Sequence, residues 1–200
     1  FGSNNLYPDL LIELFNNSAM HHTAIEAKQD AVTGEGFKLF GDDMINSKGE
    51  TIDEIFEKIA LDYILFGGYS LNVIWSRDGS TIAEVYHLPF NNVRTGIMNE
   101  DEDVDHYYYS TNWAQHRKYK PVPYKAYSPT DNKGDNANQV YYCFDYTVGN
   151  FYYPLPSYVG AINDIDTDAR VSRFHRSNLQ QGLAPSMMLT FKNGIPTADE

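Results

Sequence analysis

Cysteine is nearly absent from this chain: Cys143, within VYYCFDY, is the only one in 200 residues. An internal disulfide is therefore impossible. At this length, one or two domains, a core burying roughly 70% of the unfolded surface supplies stability without one. The pattern suits a reducing compartment or an assembly protein. Cys143 itself reads as a small buried apolar side chain rather than a reactive thiol. Long hydrophobic runs are missing too. No window approaches the run of about 18 apolar residues that a membrane-crossing helix needs, and no secretory leader pattern is visible. Positive charge is scarce: 15 Lys and Arg stand against 27 Asp and Glu, a formal net charge of −12. A duplex-reading protein carries a basic footprint. The balance argues against sequence-specific DNA binding and does not exclude a surface that nucleic acid must pass without sticking.

Catalytic and metal-binding patterns are also wanting. The histidines, His21, His22, His87, His106, His116 and His175, are nowhere paired at a zinc-ligating spacing. Asp164-Ile165-Asp166-Thr167-Asp168 invites a calcium-loop reading, but such a loop needs Gly where Ala169 stands and Glu where His175 stands. Acids in the first turns of a helix, complementing its dipole, explain the run better. Gly34-Glu35-Gly36 follows a helix and precedes an apolar run, the reverse of a pyrophosphate cradle, and reads as a helix stop. No nucleophile elbow is present. These readings predict no catalytic residue, no cofactor and no metal.

Tyrosine, by contrast, is abundant: 16 residues, with runs at 107–109, 141–142 and 152–153. Aromatic residues favour strands and interfaces. The tyrosines could also stack sugar rings, which keeps a secreted carbohydrate-binding or hydrolytic module as the alternative function. Strand packing is the default reading.

Hydrophobic periodicity predicts an α+β fold. Two helices span residues 8–33, with Ser18 as the N-cap of the second. Phe37 to Phe40 reads as a short strand. Thr51 opens the clearest helix, because Glu54 three residues later completes a capping box. Gly67-Gly68 ends it. Tyr69–Trp75 and Ile82–Leu88 read as an antiparallel hairpin turning at Asp78-Gly79. Short strands follow at 92–95, 107–110, 124–127 and 140–147, the last three separated by polar loops. Pro154 and Pro156 bracket a linker into a final polar helix over 158–181. After it come a short β-type run and an Asn193-Gly194 turn.

That final helix carries only a thin apolar stripe, Ile162, Ile165, Ala169 and Phe174, at roughly helical spacing. So polar a helix buries little in its own domain and needs neighbours, either other domains or other copies of the chain, with a subunit interface the favoured reading. The stripe is therefore the predicted subunit interface. Arg170, Arg173 and Arg176 form the one compact basic set near a single helix side. They are candidates for facing phosphates, or for salt bridges between subunits with Asp164, Asp166 and Asp168 upstream.

The order of these elements carries a resemblance. Residues reading TGEGFKLF precede a helix, then Gly68-Tyr69-Ser70-Leu71-Asn72-Val73-Ile74-Trp75, Asp78-Gly79, Tyr86-His87-Leu88-Pro89 and Asn92-Val93-Arg94-Thr95-Gly96. A tyrosine-rich strand follows, and the closing helix runs into Asn178-Leu179-Gln180-Gln181-Gly182-Leu183-Ala184-Pro185-Ser186. This order resembles the portal proteins of tailed bacteriophages, most closely in residues 5–95 and 157–195. The resemblance implies a portal-like wing at 1–156, a stem-type helix at 157–184 and the start of a clip-like region at 185–200. It further implies a homo-oligomeric ring, usually a dodecamer, at one capsid vertex of a virion assembled in the host cytoplasm. Double-stranded DNA would be packaged and ejected through that ring. A terminase motor, a head–tail adaptor and the major capsid protein would be its partners, with no membrane and no enzymatic role. The chain opens on FGSNNLYPDL without an initiator Met and stops in the polar IPTADE, so it is expected to be a segment of a longer protein.

Overall fold

The computed structural model of the chain describes residues 1–37, 43–100 and 103–182. It is an α+β fold of four α-helices and a six-stranded sheet among those residues. Helices α1 (Tyr7–Asn17) and α2 (Ala19–Thr33) meet at Ser18, whose hydroxyl accepts from the His21 N–H at 3.3 Å. Pro8 sits in the first turn of α1, where its missing N–H has no helical partner to lose. Helix α3 (Ile52–Phe66) begins with a complete capping box. Glu54 N–H donates to Thr51 Oγ1 and Thr51 N–H to Glu54 Oε2, at 3.3 and 3.0 Å. Gly67 ends α3 at φ +82, and a Cβ there would lie 2.7 Å from the Leu155 carbonyl oxygen, so both conformation and space require glycine.

The strands are β1 (Gly68–Trp75), β2 (Ile82–Leu88), β3 (Val93–Thr95), β4 (His106–Tyr109), β5 (Val122–Ala126) and β6 (Asn138–Phe144). They are ordered β2-β1-β6-β5-β4-β3, antiparallel except for a short parallel pairing of β5 with β6. The β1–β2 hairpin turns through Asp78-Gly79 as expected. Asp78 accepts from the hydroxyls of Ser76 and Ser80, which hold its carboxyl down at about 2. Two expectations meet a different outcome, and a third falls outside the described residues. Phe37 lies outside any strand, its N–H bonded to Asp53 Oδ1 at 2.8 Å, while the rest of that predicted strand falls outside the described residues. The predicted clip start at 185–200, with its β-type run and Asn-Gly turn, also lies outside them. The final helix starts later than residue 158: Val159–Ala161 form a 3₁₀ turn, and α4 spans Ile162–Gln180. Tyr158 is tied elsewhere, its hydroxyl donating to the Leu65 carbonyl at 2.7 Å, and tight three-residue bonds bridge the gap.

The core lies where α1 and α3 meet the sheet. Leu11, Leu65, Phe66 and Phe90 are its buried centre, and Tyr142, Tyr158 and Ile162 pack against it. Phe66, Phe90, Tyr142 and Tyr107 form a stacked series at centroid spacings of 5.7, 5.0 and 5.0 Å. The tyrosine-rich strands thus spend much of their stacking capacity inside the molecule. On the other side of β6 the loop after β5 folds over buried Gln139, whose side chain bonds Trp75 Nε1, Ser128 N–H and the Asp131 carbonyl. Arg94, 3% exposed, is clamped to Asn5 Oδ1 and to the carbonyls of Asn5, Asn91 and Val93. Trp113 stacks near its guanidinium at 5.0 Å.

Candidate subunit interface

Helix α4 has 19 residues, roughly 28 Å of helix at 1.5 Å per residue. Its first half packs on the body, and beyond it Arg173 reaches back to α1. Ile162 packs on the core cluster, and Ala169 is 2% exposed. Asp168 accepts from the Ser18 hydroxyl at 2.6 Å, placing a carboxylate beside the positive end of α2, where a helix dipole favours it. One serine thus caps α2 and anchors α4. The neighbouring His21 is buried with Nε2 unpartnered, its ring against Tyr158 at 4.5 Å. Burial, then the adjacent His22, lowers its pKa and keeps the imidazole neutral.

The predicted stripe divides. Ile162 and Ala169 already face their own chain, and Ile165 is half-buried beside them. Phe174 is 63% exposed. The reason is phase: at about 100° per residue, Phe174 lies roughly 140° around the helix from Ala169, away from the docked side. Val171 and Leu179 are likewise exposed, and every residue from Val171 to Arg176 is exposed. These exposed apolar positions make the second half of α4 a candidate contact surface.

The arginines also separate. Arg170 pairs with Asp166 one turn back at 2.7 Å, and Arg173 reaches Glu13 on α1 at 2.9 Å. Arg176 has no ion-pair partner among the described residues. Asp166 and Asp168 are therefore engaged within the chain, and Asp164 sits in the first turn of α4. Sequence reasoning missed the Ser18–Asp168 bond, which joins residues 150 positions apart. The N-cap signal at Ser18 was its one visible trace.

Among the described residues no group of three or more His, Cys, Asp or Glu is gathered to hold a metal, and no helix is long and apolar enough to cross a membrane. His87 and Asp62 do meet, Nε2 to Oδ2 at 2.8 Å, but the same carboxylate oxygen accepts the Phe90 N–H at 3.0 Å. The pair fixes the turn that carries Phe90 into the core. Cys143 is half-buried rather than fully buried, and it neighbours Tyr69, whose hydroxyl is pushed up to about 12 by burial and then by that thiol.

Ser18→Ala is expected to lower stability by about 0.5–2 kcal/mol, the usual loss for an N-cap. A double-mutant cycle with Asp168→Ala, read by urea denaturation, should show coupling above about 0.5 kcal/mol. Additive losses would show that the hydroxyl does not join α2 to α4.

No protein-family model and no curated protein matches the chain. Solved structures do. A chain from the neck of an empty gene transfer agent (GTA) particle, computed with C6 symmetry, superposes at a TM-score of 0.66 with 13% identity, covering 96% of this chain and 53% of its own. A chain of the virion of the native gene transfer agent particle gives 0.66 and 13%, covering 94% and 51%. A chain from the neck of the native particle, computed with C12 symmetry, gives 0.63 and 13%, covering 94% and 51%. The chain spans about half the length of each. At that identity the likeness is one of fold, and the fold it shares is that of chains built into the neck and virion of gene transfer agent particles.

Proposed function

We propose that this chain is the wing and the beginning of the stem of a portal-type ring subunit in a tailed-phage-derived particle. The observation that carries the reading is the fold. Over 96% of its length the chain superposes on a chain from the neck of a particle, computed with C6 symmetry. The exposed apolar side chains Val171, Phe174 and Leu179 on the second half of α4 support it, because a closed ring repeats one modest contact at every interface. A twelve-membered ring at one capsid vertex is the specific expectation, with a terminase motor, a head–tail adaptor and the major capsid protein as its contacts. The role is structural and conducting rather than catalytic.

The net charge of −12 fits a conduit. Phosphate contacts from Lys and Arg release counterions and hold DNA, whereas an acidic wall repels it over roughly 8–10 Å in physiological salt. Electron microscopy of the full-length protein tests the reading directly. Closed rings with a channel wide enough for a duplex are expected, along with weak binding of linear DNA that varies little with salt. A monomer at all concentrations, or tight binding that falls steeply with salt, would replace the conduit by another function.

A further inference from the structure

We propose that the sheet carries an open strand slot beside β6, and that it accepts an extended, lysine- or arginine-bearing segment of another polypeptide as an added strand. The slot follows from the ladder. At the two ends of the β1–β6 pairing, Trp75 N–H donates to the Ala137 carbonyl and Asp145 N–H to the Gly67 carbonyl. Hydrogen-bonded pairs alternate along an antiparallel ladder, so Gln139, Tyr141 and Cys143 turn their main-chain groups toward β1. Val140, Tyr142 and Phe144 turn theirs away from it. There β5 pairs only as far as Ala126 with Val140, and the last rung is Tyr127 N–H to the Val140 carbonyl at 2.9 Å. The chain then leaves the sheet: Ser128 N–H bonds the Gln139 side chain instead, and Pro129 has no donor to give. Past that point neither Tyr142 nor Phe144 has a main-chain partner on this side among the described residues.

The opposite bank is the segment before β4. The Asp105 carbonyl accepts the Ala126 N–H at 2.9 Å, and Val104 pairs with Met98 on the far side. Between the two banks lies a groove of about 510 Å³, lined by Asp103, Asp105, Tyr107, Tyr127, Tyr141 and Tyr142. Its path continues β5. The buried Tyr142 hydroxyl has no hydrogen-bond partner.

Charge selects the occupant. Lys125, also in the groove, is already paired with Asp131. Asp103 and Asp105 have no ion-pair partner among the described residues. A strand presenting cations on alternate residues places them against these two carboxylates while its main chain bonds β6. A second copy of a chain with net charge −12 is a poor candidate, so the partner is a different, basic polypeptide.

The test uses the full chain and a synthetic probe, acetylated and amidated Lys-Val-Lys-Val-Lys-Val-Lys. Amide hydrogen exchange by NMR should find Tyr142 fast in the free chain and Tyr141 slow. The peptide should slow Tyr142 by at least about tenfold, equivalent to about 1.4 kcal/mol. Asp103→Asn with Asp105→Asn should weaken its binding by about tenfold. The glutamate counterpart should not bind. Peptides N-methylated at every second residue, in both phases, keep the charge but lose the ladder in one phase, and that phase should fail. Equal binding of both phases would reveal charge adhesion alone and overturn the proposal. So would binding that leaves Tyr142 exchange unchanged, or a Tyr142 amide already as slow as Tyr141 in the free chain.

Discussion

Phe90→Ala is expected to lower the stability of the chain by about 3–5 kcal/mol, the range for truncating a fully buried aromatic ring. Phe90 is 1% exposed and stands at the centre of the stacked series, between Phe66 and Tyr142. Its place depends on polar groups. Asp62 on α3 receives both the Phe90 N–H and the His87 ring, so the turn after β2 is pinned to the helix that covers it. Removing the ring therefore opens a cavity at the junction of α3, β6 and the Phe90 turn. For a chain of this size the melting temperature should fall by on the order of 10 °C. Phe151→Ala is the control. That ring is 70% exposed, so its loss should stay within about 0.5 kcal/mol. Urea denaturation of both variants checks the pair. A loss below about 1 kcal/mol for Phe90→Ala would mean that the aromatic stack is not the centre of the core.

What the sequence revealed follows the range of the interactions involved. The Thr51–Glu54 capping box, the Ser18 cap and the Asp78-Gly79 turn are contacts between residues a few positions apart, and each lies where local chemistry puts it. The α1–α2 pair and the β1–β2 hairpin came from apolar periodicity and are equally local. The parallel pairing of β5 with β6 rests on two register positions, and its strands carry no pattern distinguishing it from a hairpin. Arg94 sits in a short strand, yet its guanidinium is buried, because Asn5, 89 positions away in sequence, supplies two of its acceptors. The candidate interface was partly legible. Ile162, Ile165 and Ala169 follow a helical repeat of three and four, and that repeat marks the side docked on the body. Phe174 breaks it by one residue. The break, read as part of one stripe, is the signal that separates the inward side of α4 from the outward one.

Phe174→Asp in the full-length protein is accordingly expected to disrupt ring assembly while leaving the body folded. The ring is 63% exposed in the isolated chain, and among the described residues only the neighbouring His175 contacts it as an aromatic partner, at 6.0 Å. So exposed a side chain contributes little to the fold, and thermal denaturation of the isolated chain should show its stability shifted by less than about 0.5 kcal/mol. At an interface the change is larger. Full burial of a phenylalanine contributes about 1.5–3 kcal/mol, and a carboxylate in its place must be desolvated without a partner. Each 1.4 kcal/mol is a factor of about ten in association, so the concentration needed for assembly should rise at least tenfold. A closed ring repeats the loss at every interface. Ala169→Asp supplies the contrast, because Ala169 is 2% exposed and covered by its own chain. A charge there should destabilise the isolated chain by several kcal/mol through burial of an unpaired group. Sedimentation velocity on both variants, beside their melting curves, separates the two sides of the helix. Phe174→Asp rings that form at the wild-type concentration would place the subunit contact elsewhere on the body. Loss of folding in Phe174→Asp would mean that the outward side of α4 is buried by its own chain after all.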